Sequence, residues 1–376
     1  MKKILIIGMV DSIHTFHWIE RIMTDDTIIY LFSSRKHRRI HPELVNLLRA
    51  NRKLVLVGAF PLLKFSPYWS FARSRILRAI GLSDSFLLRR HIKKTKYEFI
   101  HALEIQHAGY LMLSVFDQIP SATKTITTNW GSDIYFFSQF PEHRQKIQSL
   151  LQRVDCYSAE CKRDYELAMQ LGFEGESMAV IPNSYSYAHP PKVNQIASER
   201  KQVIGKCYGE LFGLGSIILE CTEMILRENP QIEVFLYSVT KDLEKQAHIL
   251  KKMYPLRLRY FTVRDPLSHE VLLEEFAKSR IYMGASRSDG ISTSFLEAMS
   301  QGAYPVQTDT SCASEWLQMG CVGSVVGTTK DEIYKAVNSA LKDDELVNRA
   351  QKENSRVLIE TTDFEVLSEA ARAFYT

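Results

Sequence analysis

The sequence predicts an α/β protein built from two doubly wound domains. Short β-type apolar runs alternate with helical patterns, which indicates parallel sheets with helices on both faces. The alternation stops at 183–201, where two adjacent prolines forbid a helix and interrupt a strand ladder. A length of 376 residues also fits two domains of about 150 residues each. The expected boundaries are a first domain at 1–185, a linker at 186–201, a second domain at 202–355 and a helix at 356–376 that crosses back to the first domain.

The first half opens with the apolar run KKILIIG at 2–8, which ends in a glycine and precedes a polar loop. A helical pattern from Thr15 to Met23 follows, so this segment is typical of a β-loop-α-β unit. Further β-type runs of this half lie at 27–32, 54–58, 98–103, 124–130, 155–159 and 179–182.

The second half repeats this scheme and predicts another doubly wound domain. Its β-type runs lie at 202–208, 232–238, 257–263, 281–285, 303–308 and 322–327. Helical patterns between them lie at 213–228, 241–253, 268–278 and 292–301. From 330 to 376 the pattern is helical throughout and contains neither glycine nor proline.

Composition excludes several classes of protein. A chain with 45% hydrophobic and 24% charged residues buries a core, which excludes a disordered protein. The apolar start is too short for a signal peptide, and no run reaches the roughly 20 apolar residues of a membrane span. The six cysteines form no C-x-x-C pair, so we expect reduced thiols and no zinc site. These features predict a cytoplasmic protein.

Positive charge is concentrated in the first half. Residues 1–190 hold 25 Lys and Arg against 17 Asp and Glu, a balance of +8, whereas 191–376 hold 22 against 26, a balance of −4. The stretch 71–96 is basic and amphipathic, and such a stretch can lie on the inner, anionic face of a membrane. The alternative is a solvated helix pair packed on the sheet. No nucleic-acid recognition pattern accompanies the charge.

The segment SRSDGISTSFLEAMSQG at 286–302 carries most of the functional signal. It begins where a strand ends and passes Gly290 into a helix whose apolar residues recur on one face. The N-terminus of such a helix favours a phosphate. Asp289 and Glu297 are separated by about 12 Å along it, so they can hold hydroxyls on either side of a bound diphosphate. The alternative is that Asp289 caps the helix and Glu297 is a solvated surface residue.

The segment SDGISTSFLEAMSQGAYPVQTD resembles the E-x7-E region of retaining glycosyltransferases of the GT-B fold, of the family 4 type, with Asp289 replacing the first Glu. The resemblance implies two Rossmann-like domains facing across a cleft. It also implies that Asp289 contacts the donor sugar and Glu297 the nucleotide ribose. The residues expected to form the donor site are Ser12, Lys206, Arg287, Asp289, Gly290, Ile291, Ser292, Thr293 and Glu297.

Lys206 matches the position where the family places a cation against the donor diphosphate, and a cation there stabilises the departing charge. The family has a second cation shortly after it, but this chain reads KCYGELFGLG, with Gly213 or Leu214 in that place. Arg287 is the expected substitute; the alternative is an exposed loop arginine.

In the first domain, Ser12 follows the opening strand, and the resemblance implies that its turn contacts the donor phosphate. His14, His17, His101 and His107 are candidates to converge on the cleft, with His107 or His14 expected to contact acceptor or diphosphate. TNWGSDI at 128–134 resembles a cleft-facing segment in one branch of the family, where Asp133 meets the acceptor; alternatively, Asp133 caps an ordinary turn.

The expected catalytic residues are Asp289, Lys206, Asp133 and His107, acting in sugar transfer from a UDP- or GDP-sugar to a glycan or lipid-linked acceptor with retention. The family implies no divalent metal and no cofactor besides the nucleotide sugar as co-substrate, and the expected pathway is synthesis of bacterial surface polysaccharide or glycoconjugates. Two alternatives remain: a nucleotide-sugar epimerase or phosphorylase on the same fold, and a non-catalytic partner of an active transferase.

Overall fold

The computed structural model describes residues 1–35, 39–58, 83–183, 185–187, 195–209 and 211–376. The chain divides into two compact units: Met1–Ser184 with Glu365–Thr376, and Tyr185–Phe364. The return of the chain to the first unit therefore occurs after Phe364, whereas the sequence pattern predicts it at residue 356.

The described part of the first unit contains a seven-stranded parallel sheet in the order β3-β2-β1-β4-β5-β6-β7. Its strands are β1 (Lys2–Gly8), β2 (Thr27–Ser33), β3 (Leu54–Val57), β4 (Phe99–Leu103), β5 (Lys124–Thr128), β6 (Cys156–Ser158) and β7 (Glu176–Ser177). On β1, Ile4 and Ile6 pack into the core on one face, and Leu5 and Ile7 into the core on the other. Burial on both faces explains why this strand is a continuous apolar run.

Helices cover both faces of this sheet. Those that precede the second unit are α1 (Ile13–Ile22), α2 (Pro42–Ala50), α3 (Asp84–Lys94), α4 (Tyr110–Leu113), α5 (Pro141–Leu151) and α6 (Lys162–Gln170), and a π-helical turn (Ile105–Gly109) precedes α4.

The described part of the second unit contains a six-stranded parallel sheet in the order β10-β9-β8-β11-β12-β13. Its strands are β8 (Gln202–Lys206), β9 (Glu233–Val239), β10 (Leu258–Thr262), β11 (Ser279–Gly284), β12 (Tyr304–Thr308) and β13 (Ser324–Val326). The helices that follow are α7 (Gly215–Glu228), α8 (Glu244–Met253), α9 (His269–Lys278), α10 (Thr293–Ser300), α11 (Ala313–Gln318), α12 (Lys330–Ala340), α13 (Asp344–Thr362) and α14 (Phe364–Arg372).

The predicted class, two doubly wound α/β sheets, is confirmed. The predicted strand at 179–182 is wrong. The ladder with β6 ends at Ser177, and the main chain beyond it makes two separated hydrogen bonds, from Met178 to Tyr157 and from Ile181 to Ala159. Ile181 still fills the core, which explains the apolar pattern without a strand.

Two predicted segments lie partly outside the described residues, namely 71–82 of the basic stretch and 188–194 of the linker. Within the described residues, α3 turns Leu88 and Ile92 into the core of the first unit. None of the helices that the structure describes combines the length and apolarity needed to cross a membrane.

The end of the chain is anchored in the core of the first unit. The Tyr375 hydroxyl accepts a hydrogen bond from Trp18 Nε1 at 2.9 Å and lies 2.7 Å from His101 Nδ1. His101 Nε2 lies 2.6 Å from the Thr128 hydroxyl. Burial lowers the pKa of His101 to about 3, so the imidazole is neutral at physiological pH.

We expect Tyr375→Phe to lower the free energy of unfolding by about 1–3 kcal/mol, because it leaves the buried Trp18 N–H without an acceptor. Urea denaturation followed by tryptophan fluorescence measures the change. Tyr30→Phe is the matched control, since its half-buried hydroxyl makes no hydrogen bond within the described residues. Equal unfolding midpoints for wild type and Tyr375→Phe would contradict the anchoring role.

Candidate functional site

Each sheet has one point at which the strand order reverses, and open α/β sheets bind ligands beyond the carboxyl ends of the strands at that point. In the first unit the reversal lies between β1 and β4, and in the second between β8 and β11. Lys206 ends β8, and the loop with Arg287 and Asp289 follows β11. Sequence positions about 80 residues apart therefore meet at one sheet edge.

Main-chain hydrogen bonds join the loops that follow β8 and β11. The Arg287 N–H donates to the Phe212 carbonyl at 2.7 Å, and Gly213 and Ser286 form an antiparallel bridge. The two loops consequently form one continuous wall beside Lys206. The Lys206 ammonium lies 4.8 Å from the centre of the Tyr208 ring, which holds it at this edge.

The backbone explains why the second cation of the family pattern is missing. A Cβ on Gly213 would lie 2.0 Å from the Tyr208 carbonyl oxygen, so no side chain fits there without a shift of the main chain. Leu214 packs into the hydrophobic core of the second unit. Arg287 is exposed and is bonded through its main chain to this same loop. It is therefore placed to supply positive charge that positions 213 and 214 cannot.

Asp289 is held in a loop that is fixed from both sides. Its N–H donates to the Thr310 carbonyl at 3.1 Å, and its Oδ1 accepts the Gly290 N–H at 2.9 Å. The N-cap of α10 is Ser292, whose own side chain makes no capping hydrogen bond. Gly290 and Ile291 are buried beside it, and Ser292 and Thr293 lead into α10.

Glu297 is a buried residue of α10, so the alternative of a solvated surface residue is wrong. It is 9% exposed, and its Oε1 lies 2.6 Å from His269 Nε2. The hydrogen bond to Glu297 raises the pKa of His269. Among the described residues Oε2 makes no hydrogen bond, so one carboxylate oxygen remains to accept hydroxyl protons. Sequence reasoning missed His269, because nothing in its spacing links it to Glu297.

In the first unit, the partly exposed Ser12 is the N-cap of α1. Its hydroxyl accepts the His14 N–H at 3.2 Å, and its own N–H donates to the Met9 carbonyl at 3.1 Å. The His14 ring lies 4.9 Å from the Trp130 ring. The first turn of α1 therefore meets the loop after β5 at the carboxyl edge of the sheet.

Asp133 is buried in the turn after β5. Its Oδ2 accepts the N–H groups of Trp130 and Ile105 at 2.9 and 2.8 Å. Burial, and then the charge of Glu104, raise the pKa of Asp133 well above its usual value. The carboxyl group therefore connects the turn after β5 to the π-helical turn after β4.

The four histidines do not converge. His101 is fully buried among Tyr375, Thr128 and Trp18, and His17 lies 3.6 Å from Glu20 on the exposed side of α1. His107 remains a candidate: its side chain is 46% exposed, and Nδ1 lies 3.2 Å from Glu104 Oε2. The pattern E-x-x-H at the end of a strand was the available signal for Glu104, and sequence reasoning did not use it.

Two family models match the chain. The model for "Glycosyl transferase 4-like" proteins matches residues 3–160, and the model for "Glycosyl transferases group 1" matches residues 260–357. No curated protein matches the chain in sequence.

Several solved structures share the fold over the whole chain. Sucrose-phosphate synthase from Thermosynechococcus elongatus has a TM-score of 0.73 at 12% identity, covering 100% of this chain and 98% of that one. Anabaena HepE in complex with UDP-glucose has a TM-score of 0.73 at 13% identity, covering 100% and 99%. Over part of the chain, S. aureus TarM, in complex with Fondaparinux, alpha-GlcNAc-glycerol and UDP, has a TM-score of 0.60 at 14% identity, covering 78% and 59%.

We expect Asp133→Asn to stabilise the protein increasingly as the pH rises above about 4. The unfolded chain releases the Asp133 proton near the ordinary aspartate pKa of 3.8, whereas the folded chain retains it, so rising pH costs the wild type stability. Asparagine has no proton to lose and its carbonyl oxygen can still accept both N–H groups. Urea midpoints of both proteins between about pH 4.5 and 7.5 measure the difference.

Asp133→Ala is the contrasting variant. It removes the acceptor of two buried N–H groups and is expected to lose about 1–3 kcal/mol at every pH. Parallel pH curves for the wild type and Asp133→Asn would contradict the raised pKa.

Proposed function

We propose that the chain is a GT-B glycosyltransferase that transfers the sugar of a nucleotide diphosphate sugar to a glycan or lipid-linked acceptor with retention; the two family models and the shared fold support this proposal. We also assign it to the synthesis of bacterial surface polysaccharide or glycoconjugates. The single observation that carries the site assignment is the wall formed by the loops after β8 and β11, which joins Lys206, Arg287 and Asp289 at the strand-order reversal.

The donor diphosphate binds against this wall. Lys206 and Arg287 supply the positive charge, and the N-terminus of α10 adds its helix dipole. Asp289 accepts hydroxyls of the donor sugar, and the buried Glu297 accepts the ribose hydroxyls through the carboxylate oxygen that His269 leaves open. With two side-chain cations at the diphosphate, we propose that the reaction requires no divalent metal and no cofactor beyond the nucleotide sugar.

In the proposed reaction the bond from the anomeric carbon to the diphosphate oxygen breaks, and a bond to the acceptor oxygen forms on the same face. The acceptor proton moves to the departing diphosphate oxygen, so no nucleophilic side chain takes part. Lys206 and Arg287 stabilise the negative charge that develops on this leaving group. His107 contacts the acceptor hydroxyl, whereas Asp133 shapes the turn beside it.

The identity of the bound nucleotide is the first point to test. UDP is the first choice because HepE has been seen with UDP-glucose, and TarM with UDP and a glycan. Thermal-shift measurements with UDP, GDP and their sugars should give stabilisation by one base, about 2.7 kcal/mol at a hundredfold excess over Kd. Proton NMR of the product should then show the same anomeric configuration as the donor sugar. The rate of sugar transfer should be the same with and without EDTA. Absence of a shift with every nucleotide would contradict donor binding, and an inverted product would contradict retention.

Glu297→Ala should abolish the stabilisation by the nucleotide and leave the melting temperature of the free protein nearly unchanged. Loss of the carboxylate removes the ribose acceptor, while His269, whose side chain is 68% exposed, becomes hydrated. His269→Ala is the matched control, because it breaks the same pair and keeps the carboxylate, so nucleotide stabilisation should persist. A wild-type thermal shift in Glu297→Ala would remove Glu297 from the site.

A lipid-linked acceptor requires approach to a membrane, and we place that contact at the exposed basic face of α3. Arg89, Arg90, Lys93 and Lys94 are exposed, whereas the apolar side of the helix packs in the core. The contact is therefore electrostatic, worth about 1 kcal/mol for each basic residue near an anionic surface, and weakens with salt.

Cosedimentation with vesicles containing phosphatidylserine should be strong at low salt and absent with phosphatidylcholine alone. Replacing Arg89 and Lys93 by Glu should abolish it, while the same charge change at Lys245 and Lys252, exposed on α8, should not. Equal binding by the two double variants would contradict a contact through α3.

A further inference from the structure

The turn that follows β4 contains an unusual backbone conformation at Glu104. Its φ is 77° and its ψ is 155°, a region that favours glycine. A side chain there costs about 1–3 kcal/mol, so the surrounding contacts must maintain it. The residue is only 3% exposed. A buried acidic residue in a glycine conformation indicates that the carboxylate itself has a role.

The contacts of this carboxylate all lie in the π-helical turn. Both oxygens accept the His107 N–H, at 2.9 and 3.0 Å, and Oε1 also accepts the Ala108 N–H. The Gly109 N–H closes the turn onto the Glu104 carbonyl at 2.9 Å. These main-chain bonds hold the turn, and π-helical turns occur frequently at functional sites.

One contact goes beyond the main chain. His107 Nδ1 lies 3.2 Å from Glu104 Oε2, and the imidazole is 46% exposed, so its ring does not serve to fill the core. An ionised carboxylate only accepts hydrogen bonds. It therefore favours the neutral ring in which Nδ1 carries the proton and Nε2 is an acceptor. Within the described residues, Nε2 makes no hydrogen bond.

We propose that Glu104 is a positioning residue for His107, fixing the Nδ1–H tautomer so that Nε2 accepts the hydrogen bond of a substrate hydroxyl. The inference rests on the proposed function and deepens it by naming the atom of His107 that contacts the acceptor hydroxyl. The turn is itself fixed, because Ile105 donates to Asp133 and the Gln106 side chain donates to the Asp133 carbonyl, both at 2.8 Å.

Glu104→Gln tests the tautomer directly. The amide oxygen can take the two main-chain N–H groups, which turns the amide NH2 toward Nδ1 and makes that nitrogen the acceptor. Long-range 1H–15N spectra of protein labelled with 15N-histidine, recorded at a pH where the ring is neutral, should show Nδ1–H in the wild type and Nε2–H in the variant. His107→Ala assigns the signal. A wild-type ring protonated on Nε2, or the same tautomer in both proteins, would overturn the proposal.

Turnover provides a second readout that a purely structural role would not reproduce. With the donor identified by the thermal-shift panel, Glu104→Gln should lower kcat about tenfold, as expected for one lost hydrogen bond in the transition state. The same substitution should have no further effect in the His107→Ala background, since Glu104 acts through the imidazole. Multiplicative losses in the double variant would overturn the proposal.

Glu104→Gly guards against a folding defect, because glycine adopts a φ of 77° without strain while the carboxylate is removed. Its loss of kcat should match or exceed that of Glu104→Gln, and wild-type kcat in a folded Glu104→Gly would overturn the proposal. The tautomer measurement requires no substrate. An Nδ1–H ring in a protein that transfers no sugar would therefore contradict the proposed function alone, and an Nε2–H ring in an active transferase would contradict this inference alone.

Discussion

The parallel pairing of β8 with β11 is the constraint on which the candidate donor site depends. These strands are neighbours in the sheet although β9 and β10 separate them in sequence, and the register aligns Tyr282 with Ile204. Only this pairing brings Lys206 next to the loop that carries Asp289. Because α7 and α10 cover opposite faces of this sheet, the gap above the two strand ends remains available to a ligand.

Close packing within this wall determines which positions can carry a positively charged side chain. Gly213 and Gly215 both approach the Tyr208 carbonyl, so that a Cβ on either would come within 2.6 Å of its oxygen. A lysine at 213 would require the loop to move away from the β11 loop, and the main-chain bond between Arg287 and Phe212 would be lost. Arg287, whose main-chain N–H donates to the Phe212 carbonyl, instead supplies a positive charge on the neighbouring loop. The departure from the family pattern is thus a consequence of how tightly the two loops pair.

The spacing of residue types in the sequence predicted the two sheets, but it did not predict which polar side chains are buried. The alternation of β and helical patterns predicted both sheets, and helical periodicity predicted that α10 would follow Gly290 with its apolar face buried. His101 shows the limit: it follows the same pattern as a site histidine, but its neighbours are Tyr375 and Trp18, which are distant in sequence. The E-x-x-H spacing could have pointed to Glu104, but its residue type could not predict the unusual φ of 77°. A pattern of residue types carries no information about backbone strain.

The carboxyl edge of the first sheet is built from buried carboxyl groups that bind main-chain N–H donors. Glu104 binds the turn after β4, Asp133 joins that turn to the one after β5, and Glu160 accepts the N–H groups of Gly131 and Asn183. The N–H groups of an irregular turn have no partner within a strand or helix, and each of these acids accepts hydrogen bonds from such N–H groups. Burial, and then the charge of Glu104, raise the pKa of Asp133, so ionising this carboxyl group in the folded protein is costly. A loop stabilised only by packing would avoid that cost, so the presence of these acids indicates that the position of the turns, and of His107 on one of them, matters to this protein.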